Sequence, residues 1–201
     1  MPKAFDDSEK RAIRRAMMEA GLKHFERAGV RAARVDDICR EVGIAKGSFY
    51  AFFASKEELF MAIVEAREER HRQEMFDFIA AAKGPLTTQL GRFFDLILNK
   101  IETDPVLQLL VLSNEIPYLA RKLGPERFAK SQDDDRAFAR EATRRFKAAT
   151  GASIDAGELL DLMAICLSVA VQRRQMAASQ YQSMTALLRK LFVGRLARGT
   201  K

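Results

Sequence analysis

The chain has no tryptophan, only five prolines and only two cysteines in 201 residues. So few prolines leave long stretches free to form uninterrupted helix. Cys39 and Cys166 stand far apart, each in an apolar helical pattern, and read as reduced, small core residues of a protein in a reducing cytoplasm. No window of about 18 apolar residues is free of charge, which excludes a membrane-spanning helix. The longest apolar stretch, Leu162 to Val171, suits a helix buried in protein. The opening segment MPKAFDDSEKRAIRRA is charged and lacks the apolar centre of a secretory signal. Alternating strand-like runs are missing as well, and two histidines without a nucleophile motif assemble no catalytic constellation.

What is present is a balance of 48% hydrophobic and 30% charged residues, enough to bury a real core in one large or two small domains. The net charge of +7 hints at a polyanionic partner without establishing one. Residues 1–57 carry 12 basic and 9 acidic side chains, and the remainder carries 22 and 18, so neither a basic tail nor an overwhelmingly basic domain exists. Any case for nucleic acid must come from a local pattern.

Helical periodicity dominates, and the expected class is all-α. Ile13, Ala16, Met17, Ala20, Leu22 and Phe25 set the rhythm of a first helix from about Ser8 to Ala28, closed by Gly29. Short helices from about Val35 to Val42 and Lys46 to Phe53 flank Gly43. Ser55 and Glu58 form a capping-box pattern opening a helix that runs to about Ala82, ahead of Gly84-Pro85. Its charged middle, Glu65 to Glu74, reads as a solvated stalk. The expected division is therefore 1–54 for an N-terminal unit and 61–201 for the rest, joined by helix 55–82. Further helices are expected at about 86–102, 105–114, 118–123, 125–150, 155–177 and 181–197.

The pair flanking Gly43 meets the geometric demands of a helix-turn-helix. Ile38 and Val42 lie four apart, Cys39 is small where helices would approach, Gly43 tolerates positive φ, Ile44 follows as an apolar plug, and Phe49 and Phe52 hold the second helix down. That packing leaves Ala45, Lys46, Gly47, Ser48 and Tyr50 at the N-terminal part of the second helix, the part presented to base edges in the major groove. Lys46 can donate to guanine O6 or N7, Ser48 can donate or accept, Gly47 permits close backbone approach, and Tyr50 suits a phosphate. Lys56, in the next helix's first turn, can offer its ammonium to a phosphate. The plain alternative is a helical hairpin with solvated polar residues. It leaves unexplained why so poor a helix former as Lys-Gly-Ser-Phe-Tyr stands exposed there.

Residues 10–60 closely resemble the N-terminal domain of the TetR (tetracycline-repressor-like) family, whose turn and recognition helix read G-V-S-K-G-T-L-Y-x-Y-F followed by x-S-K-E-x-L. The resemblance implies Lys46 and Gly47 at the bases, and Ser48, Tyr50 and Lys56 at the backbone or nearby base edges. Arg34 stands where the family has a threonine that caps and touches phosphate, and is expected to reach phosphate in its place. Asp36 and Asp37 then favour the helix N-terminus through its dipole. Ala45 and Ala51 replace residues able to hydrogen-bond, implying fewer phosphate contacts.

Residues 61–201 match the family in layout only, and the resemblance implies effector binding and dimerisation there. The helix containing Leu159, Leu162, Cys166 and Val169 is apolar almost all round. Leu187, Leu188, Leu191 and Phe192 stripe the last helix, so the two helices together suggest a two-fold four-helix interface. A larger monomer core is the alternative. Phe93, Phe94, Ile97, Leu98, Ile101, Leu109, Leu112, Phe138 and Met163 are candidates for lining a pocket for a hydrophobic small molecule, or else ordinary core. Asp133-Asp134-Asp135 reads as a solvated charge run, His71 with Glu74 as too few ligands for a metal, and His24 as partnerless. No cofactor or metal is expected. The expected function is a ligand-responsive repressor that binds a palindromic operator of double-stranded DNA as a homodimer. An activator, or an all-α enzyme or carrier retaining a vestigial helix-turn-helix, is the rival.

Overall fold

Asp6 starts the first helix: its carboxylate accepts from the Glu9 amide at 2.7 Å, and the Glu9 carboxylate accepts from the Asp6 amide at 3.0 Å. The structure, a computed structural model, describes residues 6–112 and 115–198, with the side chains of 111–112 and 128–132 outside that description. Helix α1 (Asp7–Ala32) is broken at Gly29, where φ is +75°. The expected stop is therefore present, but one further turn follows before the chain leaves at Ala33. Helix α2 (Val35–Val42) ends at Gly43 in the left-handed region, φ +77°, as its sequence demands.

The second motif helix is shorter than expected. Helix α3 covers Lys46–Phe49, and turns continue the chain, with the Phe53 amide donating to the Phe49 carbonyl at 3.0 Å. Positions four apart thereby share the inner side. The buried pair is Phe49 and Phe53, which corrects the expectation of Phe49 and Phe52; Phe52 is half-buried. Ser55 Oγ accepts from the Glu58 amide at 3.1 Å and opens α4 (Lys56–Ala80). Then come α5 (Leu86–Thr103), α6 (Pro105–Leu112), α7 (Ile116–Leu123), α8 (Pro125–Thr150) and α9 (Ala156–Val171). A 3-10 turn, Gln172–Gln175, precedes α10 (Ala178–Leu196). The tightened Gln-Arg-Arg-Gln turn shortens the helix expected over 155–177. Among the described residues there is no strand, and no helix is long and apolar enough to cross a membrane.

Two compact units share α4. The first holds residues up to Glu68 together with Pro105–Pro125, and the second holds Glu69–Asp104 and the chain from Glu126. The division falls within α4, and α6 and α7 return to the first unit, whereas the sequence reading keeps residues 61–201 together. Val106 and Leu119, both fully buried, anchor them in that unit's interior. The first core gathers Met17, Phe25, Ile38, Phe49, Leu59 and Phe60, with Phe25 and Phe60 edge to face at 5.4 Å.

In the second unit α5 packs against α9 and α10. Phe93 meets Phe146 edge to face at 5.2 Å and Phe78 at 5.8 Å, while Phe94 meets Phe192 at 5.5 Å. This core absorbs most of the expected pocket lining. Phe93, Phe94, Ile97 and Phe138 are buried in one cluster, with Leu98, Ile101 and Met163 packed against it. Leu109 belongs to the first unit, and the Leu112 side chain lies outside the described residues.

The expected dimer residues divide in a similar way. Leu159, Leu162, Cys166, Leu188 and Phe192 are buried in the unit's own core, and Val169 packs partly against it. Exposed apolar surface remains at Leu187 (68%) and Leu191 (46%), joined by Ile165 (43%). An all-round apolar helix has one side in its own protomer and a narrower side left over. The charged middle of α4 is not wholly solvated either, because His71 is buried with its Nε2 3.1 Å from Asp104. Phe93→Ala should lower the unfolding free energy of the second unit by about 3–5 kcal/mol, measured by circular dichroism in urea.

Candidate nucleic-acid interface

Arg34 precedes α2 in extended conformation and makes no side-chain cap, leaving Asp36 and Asp37 in the first turn to favour the positive end of the helix dipole. Asp37 turns to Arg40 at 3.0 Å along its own helix. At the far end the Ile44 amide donates to the Cys39 carbonyl at 3.0 Å, so the chain reverses tightly around Gly43. Half-buried Ile44 plugs the turn, and Ile38, Cys39, Phe49 and Phe53 are buried where α2 packs against α1 and α3. These apolar contacts hold the helix-turn-helix geometry from the inside.

Outward from that packing stand Ala45, Lys46, Gly47 and Tyr50, all exposed, with Ser48 half-buried beside them. Ala45 begins α3 without a side-chain cap; its carbonyl takes the Ser48 amide at 2.9 Å. Tyr50 is 52% exposed while its ring meets Phe49 edge-on at 5.3 Å, which braces the ring and leaves its outer part in solvent. A Cβ on Gly47 would meet nothing within 4 Å, so no packing inside the protein calls for glycine there.

Two cations at this surface have partners that the sequence did not suggest. Lys46 Nζ lies 3.0 Å and 3.2 Å from the two carboxylate oxygens of Asp36, ten residues away across the turn, and Arg34 lies 3.8 Å from the same carboxylate. The hydrogen bond from Lys46 holds the Asp36 carboxyl below its ordinary range and raises the Lys46 ammonium above its own, so both stay charged at neutral pH. Lys56, expected to offer a free ammonium to phosphate, instead donates to the backbone carbonyls of Arg31 and Ala33, the latter at 2.9 Å. It thereby satisfies carbonyls at the end of α1 that have no helical partner.

Other polar contacts stiffen the frame. Arg14 lies over the Phe53 ring at 4.4 Å and donates to the Phe52 carbonyl at 3.4 Å, pinning the turn after α3. Tyr118 donates to buried Glu57, and Arg31 stacks on the Tyr118 ring at 4.9 Å while facing buried Glu115 at 3.6 Å. Burial first, then the bond to Glu57, pushes the Tyr118 hydroxyl up to about 12. His24 does have a facing group, with its Nε2 3.0 Å from Glu41, a carboxylate that also pairs with Lys23. In the second unit Glu74 pairs with Lys100, and Asp133 and Asp135 with Arg136 and Arg72.

Residues 17–63, which include α2, the turn at Gly43 and α3, match the sequence profile of the bacterial regulatory proteins of the tetR family. This likeness covers the helix-turn-helix and the segments that flank it. The HTH-type transcriptional regulator YuxN of Bacillus subtilis is 24% identical over 102 residues, 51% of this chain and 35% of its own length. Transcriptional regulator AcuR of Cereibacter sphaeroides is 35% identical over 51 residues, 25% of this chain and 23% of its own. The matches thus span about a third and a quarter of these curated relatives. A crystal structure of a TetR-family transcriptional regulator from Pectobacterium atrosepticum superposes with a TM-score of 0.70 over 96% of this chain and 98% of that one, at 18% identity. The likeness in all-α fold therefore extends through the second unit, where the sequence carries no motif.

Lys56→Ala should destabilise the first unit by about 1.5–3 kcal/mol by stranding the two carbonyls. Thermal melting without DNA is the measurement, and an unchanged melting temperature would return Lys56 to the role of a free phosphate contact.

Proposed function

We propose that the chain is a cytoplasmic transcriptional repressor that binds a palindromic operator in double-stranded DNA as a homodimer and answers to a small-molecule effector. The observation carrying this reading is the surface of α3. Phe49 is buried while Lys46, Gly47 and Tyr50 remain outside, on a helix preceded by a tight glycine turn. Such a helix offers its first turn to base edges. Lys46 reads guanine O6 or N7, Ser48 and Tyr50 bond to base edge and phosphate, and Arg34 at the start of α2 reaches phosphate.

Gly47 supports the same reading from another direction. Alanine would fit and would favour the helix by up to about 1 kcal/mol. A requirement for glycine at this position must therefore come from outside the protein, from a surface that the backbone approaches closely. Dimerisation is supported by Ile165, Leu187 and Leu191, three large apolar side chains exposed on α9 and α10. Burying each against a two-fold copy contributes about 1.5–3 kcal/mol, and a symmetric pair supplies the two recognition helices that a palindrome needs. Effector binding rests on the family resemblance and is assigned to the second unit.

Fluorescence anisotropy with duplex DNA from the protein's own upstream region, against random duplex of equal length, tests the reading. Wild type should prefer one upstream fragment, and Lys46→Ala should lose about 1–3 kcal/mol of that preference. Gly47→Ala should melt no lower than wild type yet bind the fragment more weakly. Sequence-independent binding by wild type would overturn the proposal. Separately, Leu187→Asp combined with Leu191→Asp should give a folded monomer by sedimentation, whereas an unchanged dimer would place the interface elsewhere.

A further inference from the structure

The operator-reading proposal assigns Lys46 to a base edge, but in the DNA-free protein its ammonium is already occupied. Both oxygens of Asp36 face it, at 3.0 Å and 3.2 Å, and the same carboxylate draws Arg34 to 3.8 Å. Asp36 therefore sits between two cations of the candidate DNA-facing surface. Its neighbour Asp37 points to Arg40 and takes no part. The first turn of α2 welcomes a carboxylate at either position, so the helix dipole does not explain why Asp36 reaches across to α3.

Resting on the reading of α3 as the recognition helix, we propose that Asp36 is a specificity-determining residue: it withholds Lys46 from phosphates and releases it only to a base edge. A protein sliding on arbitrary DNA meets phosphate oxygens at every position, and a free lysine there adds affinity without discrimination. Asp36 removes that contribution, because its carboxylate offers Lys46 two acceptors already in place and is itself repelled by the backbone. Leaving Asp36 is favourable only where guanine presents O6 and N7 together, two acceptors in return for two. Wrong sequences then leave the ion pair intact and Lys46 silent. Specificity arises here by penalising the competitor rather than by strengthening the correct complex.

Asp36→Asn removes the charge and keeps the size. The experiment compares wild type, D36N, D36E, K46A and the double variant D36N/K46A on the upstream fragment and on random duplex, across a salt series. D36N should bind random duplex more tightly, steepen the dependence of log affinity on log salt by about one unit, and reduce the operator-to-random ratio. D36E, with its charge retained, should stay near wild type. In the K46A background D36N should leave the ratio and slope unchanged, since Asp36 acts through Lys46. The inference is overturned if D36N weakens both duplexes equally with a lower melting temperature, as a purely structural aspartate would. It is equally overturned if D36N matches wild type on both duplexes, or if D36N changes the ratio as much without Lys46 as with it. A wild type with no preference between the duplexes would instead sink the operator reading itself, so the two failures are separable.

Discussion

Lys56 donates to two backbone carbonyls, of Arg31 and Ala33, just where the chain leaves α1 and turns into α2. The first turn of α4 that carries it is fixed by Ser55 on one side, and by Glu57 bonded to Tyr118 of α7 on the other. Arg31 completes the ring of contacts by stacking on Tyr118 and facing Glu115. Three chain segments thereby converge on one helical turn. If that turn shifts, the exit of α1 shifts with it, and so does Arg34, the residue from which α2 starts. The direction of α2, and of α3 after it, depends on this polar junction as well as on the apolar core beneath it.

The legible part of the fold was the part written in local terms. Gly43 gave the turn because only a residue tolerant of positive φ closes α2 there, and Ser55 with Glu58 gave the start of α4 because capping is decided within three residues. The illegible part was written in distant pairs. Asp36 and Lys46 are ten residues apart, Glu57 and Tyr118 sixty-one, His71 and Asp104 thirty-three, and no periodicity couples such positions. The same reason hid the membership of α6 and α7 in the first unit, where Glu115 and Tyr118 answer residues of α1 and α4. Burial direction was ambiguous for a related reason. An all-round apolar helix such as α9 does not say which side faces its own core, so Leu159 and Cys166 read the same as Ile165.

The surface around α2 and α3 carries its charges in opposed pairs. Lys46 and Arg34 share Asp36, Arg40 has Asp37, and Lys23 has Glu41. Exposed pairs of this kind contribute little to stability, about 0–1 kcal/mol each, so the fold does not explain them well. They matter more for what approaches. A surface of paired charges presents a muted field at a Debye length of about 8 Å and resolves into separate donors and acceptors only at contact. This agrees with the small net charge of residues 1–57, where 12 basic side chains face 9 acidic ones.

The second unit poses a different constraint. Phe93, Phe94 and Phe138, the side chains best suited by chemistry to hold an apolar ligand, are engaged with Phe146, Phe192 and Phe76 at ring separations of 5.2 to 5.5 Å. A ligand among them has to displace ring from ring rather than fill an existing lining. Each pair is worth about 0.5–1.5 kcal/mol beyond its burial, so a small apolar molecule must restore comparable contacts to bind at all. Such displacement moves α5 against α9 and α10, the helices that bear Ile165, Leu187 and Leu191. Core and exposed apolar residues lie on adjoining sides of the same two helices. Leu187 adjoins buried Leu188 and Leu191 adjoins buried Phe192, so any repacking on the core side of α10 acts on the same backbone that carries the exposed pair.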